Sequence, residues 1–171
     1  ALDAGKTIVG LEPSCTLMFR DEAVNLIREW TEAHGAQILT FAEYIMQNPP
    51  TGLDMSALDV LVHGHCHQKA MGVAQYTVDA VKSVLGANAQ MIDSSCCGMA
   101  GSFGYQIETA EVSRQMAELS LAPTVRAAPT DTIVLADGFS CRCQIKDVTE
   151  RKAMNLALLM DKALQDHVTN Y

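Results

Sequence analysis

The sequence predicts an α/β domain: a mostly parallel sheet with helices on both faces. Three observations predict it. Short runs rich in β-branched residues alternate with longer stretches of helical apolar spacing, which is the pattern of βαβ units. The residues suited to binding metal fall just past predicted strands, where parallel sheets place their sites. The segment T-I-V-G-L-E-P-S-C (Thr7 to Cys15) is echoed by T-I-V-L-A-D-G-F-S-C (Thr132 to Cys141), and Glu12 matches Asp137 in the echo. The echo predicts a pseudo-duplicated domain with a truncated first lobe. Residues 1–48 are then a remnant of that lobe and 53–171 a complete second lobe, within one domain spanning 1–171.

The elements follow in order. Lys6–Leu11 reads as a short buried strand, closed by Glu12-Pro13, with Ser14-Cys15 in a loop. From about Asp21 the spacing of Ala23, Leu26, Ile27, Trp30 and Ala33 predicts one helix, stopped by Gly35. Gln37–Phe41 is a second strand. The connection Asn48-Pro49-Pro50-Thr51-Gly52 is the best internal seam. Val60–His67 reads as a strand. If it stays extended to its end, His63, His65 and His67 share one face and Cys66 takes the other. Ala70, Val73, Ala74, Thr77, Val81 and Val84 form the inner face of the next helix, closed by Gly86. Ala89–Ile92 is a strand feeding a cysteine loop. A helix over about Glu108–Leu121 ends before Pro123, and Thr132–Ala136 is the last strand, followed by a loop carrying Cys141 and Cys143. A terminal helix over about Val148–Asp166 buries Leu156, Leu159, Met160, Ala163 and Leu164. The nine Met residues fall mostly at core-like helix positions.

Composition narrows the function. A chain of 171 residues with 49% hydrophobic and 19% charged residues is globular. The net charge of −8 and the scatter of the 12 Lys and Arg argue against nucleic acid as partner. No apolar run is long enough for a transmembrane segment, and nothing reads as a signal peptide. The strand-like start fits a piece of something longer. Six cysteines are too sparse for a disulfide scaffold, so a reducing, cytoplasmic setting is expected, where paired cysteines mean metal or redox chemistry.

The stretch D-S-S-C-C-G-M-A-G-S-F-G-Y (Asp93–Tyr105) concentrates that chemistry. Adjacent Cys96 and Cys97 resist pairing with each other because the ring is strained. Glycines permit the sharp turn that would aim both at one metal. The alternative is a buried pair acting as small hydrophobes. Backbone N–H groups around Gly98, Gly101 and Gly104 would bind the cofactor by bonding to its sulfurs. The G-x-x-G-x-x-G spacing does not match a dinucleotide fingerprint. Cys66, Cys96, Cys97, Cys141 and Cys143 are the candidate metal ligands, each past a strand. Five thiolates exceed the four of a tetrahedral zinc, which favours an iron–sulfur cluster if all five bind. The ferredoxin spacing is absent. His63, His65 and His67 read as hydrogen-bonding supports or as ligands. Lys69 and Arg142 flank the site, to hold an anionic substrate, to balance an anionic centre or as solvated surface. No catalytic residue is assigned.

H-G-H-C-H-Q-K-A, C-C-G-M-A-G-S-F-G-Y and D-G-F-S-C-R-C-Q-I resemble the cysteine-rich CCG domain of FAD-linked, iron–sulfur dehydrogenases. Members include D-lactate dehydrogenases, glycolate oxidase iron–sulfur subunits and the anaerobic glycerol-3-phosphate dehydrogenase C subunit, with the heterodisulfide reductase B subunit more distant. The resemblance implies a non-cubane [4Fe-4S] cluster, or zinc, held by Cys66, Cys96, Cys97 and Cys141. Cys143 departs from the family's C-x-x-C spacing, and Asn155 stands where relatives commonly carry His. It also implies electron transfer from an FAD on a separate domain, in an enzyme oxidising a small 2-hydroxy acid such as D-lactate or glycolate. Partners would be FAD-binding and ferredoxin-type domains or subunits and an electron acceptor, with any membrane association made through them. The alternatives are a structural zinc module that docks subunits, and thiol–disulfide chemistry at Cys96-Cys97.

Overall fold

The structure, a computed structural model, describes residues 2–169. Strands β1 (Ile8–Gly10) and β2 (Ile38–Thr40) form a small parallel sheet. Strands β3 (Asp59–Val62), β4 (Asn88–Met91), β5 (Ile133–Leu135) and β6 (Ala153–Met154) form a second parallel sheet in the order β4-β3-β5-β6. Val62 pairs with Met91 on one side and with Leu135 on the other. The three strands therefore end level, and the loops that follow leave from one rim. The chain runs left from β3 to β4 and right from β5 to β6, so the crevice between β3 and β5 is the switch point at which such sheets bind ligands.

Helices cover both faces. On one side α4 (Phe41–Gln47), α6 (Gln75–Ser83) and α10 (Leu156–Thr169) close over Val60, Val62 and Leu135. On the other, α8 (Leu121–Ala127) and α9 (Phe139–Thr149) meet Val134 and Ala136, with α7 (Ala110–Glu118) packed beside them. Each fully buried Val or Leu contributes roughly 1.5–3 kcal/mol. Ala42 and Ile45 of α4 share the first core, so the segment before the predicted seam is anchored on the larger sheet. No helix among the described residues is long and apolar enough to cross a membrane.

Several predicted elements are corrected. The helix from Asp21 to Gly35 is two short ones, α2 (Glu22–Leu26) and α3 (Glu32–Gly35). Of its expected inner face only Ala23 is buried, and Leu26 is 78% exposed. Trp30 turns away to donate its indole N–H to the Phe19 carbonyl at 2.8 Å. Ser14 and Cys15 lie in a helix, α1 (Pro13–Leu17), rather than a loop. The second strand stops at Thr40, which caps α4 through a box with Glu43.

Strand β3 ends at Val62, five residues early, because His65 caps a new helix, α5 (Cys66–Ala70). The helix predicted beyond it is thus split at Gly72, and Ala70 is exposed. Pro123 does not stop a helix; it sits in the first turn of α8, where a missing N–H costs nothing. The loop predicted for Cys141 and Cys143 is the start of α9, which reaches Thr149 and ends on Glu150 at φ 61°. β6 then intervenes before α10, and Leu164 is 49% exposed.

Candidate metal centre

Three level strand ends each deliver cysteine to the same rim. Past β3, His63 extends the ladder by donating its N–H to the Leu135 carbonyl at 2.8 Å. His65 caps α5 with its ring accepting from the His67 N–H at 3.2 Å, while Gln68 accepts from the His65 N–H at 3.0 Å. Cys66 is thereby the first residue of α5. Past β4 the chain passes Asp93–Ser95 to Cys96 and Cys97, and Gly98 turns it at φ +92°. A Cβ on Gly98 would meet the Ser113 carbonyl oxygen at 2.2 Å, so glycine is required there twice over. Past β5, Gly138 caps α9 and Cys141 is its third residue, 1% exposed. The free N–H groups and dipole at that helix start favour a thiolate.

Four sulfurs form a line of contacts. Cys66 meets Cys96, Cys96 meets Cys97, and Cys97 meets Cys141. Their protons alternate along it. The Cys66 thiol is pushed up by its bond to Cys96 and by burial. Cys96 is pulled down, first by the Cys66 thiol and then by Cys97, and the Gly98 N–H also donates to it at 3.3 Å. Cys97 is pushed up by its bonds to Cys141 and Cys96 and by burial. Cys141 is pulled down chiefly by the Cys97 thiol, against burial, with help from His63 and His65. The metal-free site thus favours thiolate at Cys96 and Cys141 and thiol at Cys66 and Cys97.

Lys69 answers that negative charge. Burial lowers its affinity for the proton, and attraction to the Cys141 and Cys96 thiolates opposes the loss. Its ammonium bonds the carbonyls of Ser94 and of Ser95, the latter at 3.0 Å, and so pins the loop ahead of the paired cysteines. Arg142 instead holds the carbonyl of Ala136 at 2.9 Å, beside that of Asp137, at the end of β5. Asp137 joins the layers by accepting from Thr77 at 2.9 Å, from the Leu156 N–H at 3.0 Å and from Gln68 at 3.3 Å. Asn155 caps α10 by accepting from the Leu158 N–H at 2.9 Å.

The remaining predicted residues separate. Cys143 lies two positions along α9 from Cys141, about 200° around the helix, half-buried beside Tyr105. The structure does not bring it into the line of sulfurs. Gly101 (φ +56°) lines the cleft in front of the thiols. Gly104 is packed against Met99 and Ser113, where a Cβ would meet the Met99 sulfur at 1.9 Å. His67 sits at the rim, with Nε2 3.2 Å from Asp21. Ser94 is a site residue that sequence reasoning passed over, although it lies within the D-S-S-C-C stretch; its hydroxyl meets His63 Nδ1 at 3.0 Å. A cleft of about 470 Å³, lined by Ser14, His65, Cys66, Cys96, Cys97 and Ser140 among others, opens onto the sulfurs.

One ring nitrogen of His63 and the sulfurs of Cys97 and Cys141 lie within 4.8 Å of one another. His63 Nε2 is buried without a hydrogen-bond partner. Four linked thiols and an orphaned imidazole nitrogen are a donor set suited to a soft or borderline metal centre. Fold and site therefore define a parallel α/β domain with a candidate soft-metal site at its switch point.

The chain is 30% identical over 155 residues to D-2-hydroxyglutarate dehydrogenase of Pseudomonas putida, a match covering 88% of this chain and 14% of that protein. It is 30% identical over 148 residues to the protein of the same name in Escherichia coli, covering 84% and 14%. It is 25% identical over 166 residues to the C subunit of the anaerobic glycerol-3-phosphate dehydrogenase of Escherichia coli, covering 94% and 41%. The chain spans one seventh to two fifths of these curated relatives. No family model matches it, and no solved structure matches it significantly. The chain is thus similar to one segment of each of these proteins.

Proposed function

We propose that this chain is the CCG-type electron-transfer domain of an FAD-linked dehydrogenase, in which Cys66, Cys96, Cys97 and Cys141 hold a non-cubane [4Fe-4S] cluster. The observation that carries the reading is the unbroken line of four sulfurs, linked by three contacts and drawn from three adjacent strand ends. Such a cluster, when bound, supplies one-electron transfer. The chain's own groups set its conditions. The Gly98 N–H bonds a ligand sulfur, the backbone of Met99 lies against Cys97, and burial of Cys97 and Cys141 keeps water out. Lys69 offsets ligand charge, and Cys66, exposed at the cleft, offers the way out to an acceptor.

The flavin, the substrate site and the ferredoxin-type centres belong to partner domains or subunits of the same enzyme, in a reducing, cytoplasmic setting. The substrate class is a small 2-hydroxy acid, supported by the relatives named for D-2-hydroxyglutarate. The first-lobe reading is supported by Cys15 and Cys141, each the third residue of a helix that follows a parallel strand.

A structural zinc takes four ligands at one point. At the cysteine rim the mutually close donors are three, His63, Cys97 and Cys141, while Cys66 and Cys96 continue the line beyond them. That spread favours a multinuclear centre. Anaerobic reconstitution of the chain with iron and sulfide tests it. Bound iron with equivalent acid-labile sulfide and a brown chromophore is the expected result; a colourless protein that takes up zinc and no sulfide overturns it.

A further inference from the structure

We propose that His63 is itself a ligand of the metal centre, through Nε2, with Ser94 fixing which nitrogen faces the metal; this rests on the metal-centre reading above.

His63 is 1% exposed, and its backbone is tied into the sheet by the bond to Leu135, so its position is set by β3 and β5 rather than by a loop. Nδ1 is engaged by the Ser94 hydroxyl at 3.0 Å. That leaves Nε2, which is buried and within no ordinary hydrogen bond, on a ring that also meets the Cys141 sulfur. Leaving a buried polar atom unmatched is costly. Among the described residues Gln37 Oε1 is the other side-chain atom in this condition, and Gln37 immediately precedes β2 of the smaller sheet. A ring nitrogen of His63 stands within 4.8 Å of both Cys97 and Cys141 sulfurs, the spacing of ligands that share an ion.

The neighbouring histidines are otherwise committed. The ring of His65 accepts from the His67 N–H, and His67 Nε2 meets Asp21. Ligating imidazoles almost always place their second nitrogen on a hydrogen-bond partner that fixes tautomer and ring plane. The hydroxyl of Ser94 occupies that position, and Lys69 holds the carbonyl of the same residue.

Cobalt(II) added anaerobically to the full chain tests this with two separate readouts. Thiolate-to-cobalt charge-transfer absorption reports the cysteine centre. A solvent-exchangeable proton resonance, shifted by the paramagnetic ion far outside the ordinary range, reports the N–H of a coordinated imidazole. The wild-type chain is expected to show both. His63→Gln is expected to keep the charge-transfer band, lose the shifted resonance and bind cobalt at least tenfold more weakly. Ser94→Ala is expected to keep the resonance but exchange it faster with solvent, which tests the proposal even if His63→Gln folds poorly. A charge-transfer band without the resonance, a resonance that survives His63→Gln, or exchange unchanged by Ser94→Ala overturns the proposal. Absence of the band itself overturns the cysteine centre and this ligand with it.

Discussion

The backbone N–H of Gly98 donates to the sulfur of Cys96, two residues back, at 3.3 Å. Gly98 itself takes φ +92°, and a Cβ built on it would meet the Ser113 carbonyl oxygen of α7 at 2.2 Å. A side chain at 98 faces both a backbone penalty and a collision with backbone that cannot yield cheaply.

Gly98→Ala is therefore expected to destabilise the chain by about 3 kcal/mol. Gly101→Ala, also at positive φ but with nothing within 4 Å of the new methyl, is expected to cost about 1 kcal/mol. Urea unfolding midpoints of the two variants check the ordering.

Alternating protons along the sulfur line give a reactivity order that exposure alone reverses. Cys66 is exposed and Cys96 only partly so, yet Cys96 is held as thiolate and Cys66 as thiol. Because the thiolate is the attacking form, iodoacetamide at neutral pH is expected to label Cys96 of the metal-free chain faster than Cys66. Peptide mass spectrometry over a time course reads this directly.

Lys69 joins α5 to the loop before Cys96 and supplies positive charge beside the sulfurs. Lys69→Met removes both effects while retaining much of the apolar stem. Metal affinity is expected to fall by roughly 10–100-fold, the usual effect of losing a group that supports ligands. Competition with a chromophoric chelator measures it, and far-UV circular dichroism is expected to stay unchanged.

Glu12 caps α1, accepting from the Cys15 N–H and the Ser14 hydroxyl at 2.9 Å each and from the Phe139 N–H at 3.4 Å. Burial acts to raise its pKa, but these bonds outweigh it and hold the carboxyl below its ordinary 4.5. A carboxylate depressed in the folded state binds fewer protons there than in the unfolded chain. Its stabilisation is complete above pH 4.5 and is lost as pH falls through the lower folded value. Glu12→Gln is expected to be less stable at neutral pH and to lose less stability on acidification. Unfolding midpoints from neutral pH down to about pH 3 test the sign.

The parallel sheet and its helical layers were legible because βαβ alternation is a period switch written in the residues themselves. The rim position of Cys96, Cys97 and Cys141 followed from strand ends, while that of Cys66 needed β3 to stop at Val62 rather than at His67. Helix breaks were not legible where a longer-range bond, as at Trp30, or a local cap built on histidine, as at His65, overrode apolar spacing. The capping box Thr40-x-x-Glu43 was present in the sequence and would have marked α4. The splitting of Cys141 from Cys143 needed one further fact, that the segment is helical, since residues two apart on a helix face different ways. His63 and Ser94 were on view as residues, but their pairing spans two loops and no local pattern encodes it.

Sulfurs from three strand ends are held to grip one centre that excludes Cys143. EPR of the iron- and sulfide-reconstituted chain, comparing Cys97→Ser with Cys143→Ser, tests that claim most directly. The wild-type signal is expected to be abolished in the first and retained in the second. A signal that survives Cys97→Ser, or vanishes in Cys143→Ser, contradicts it.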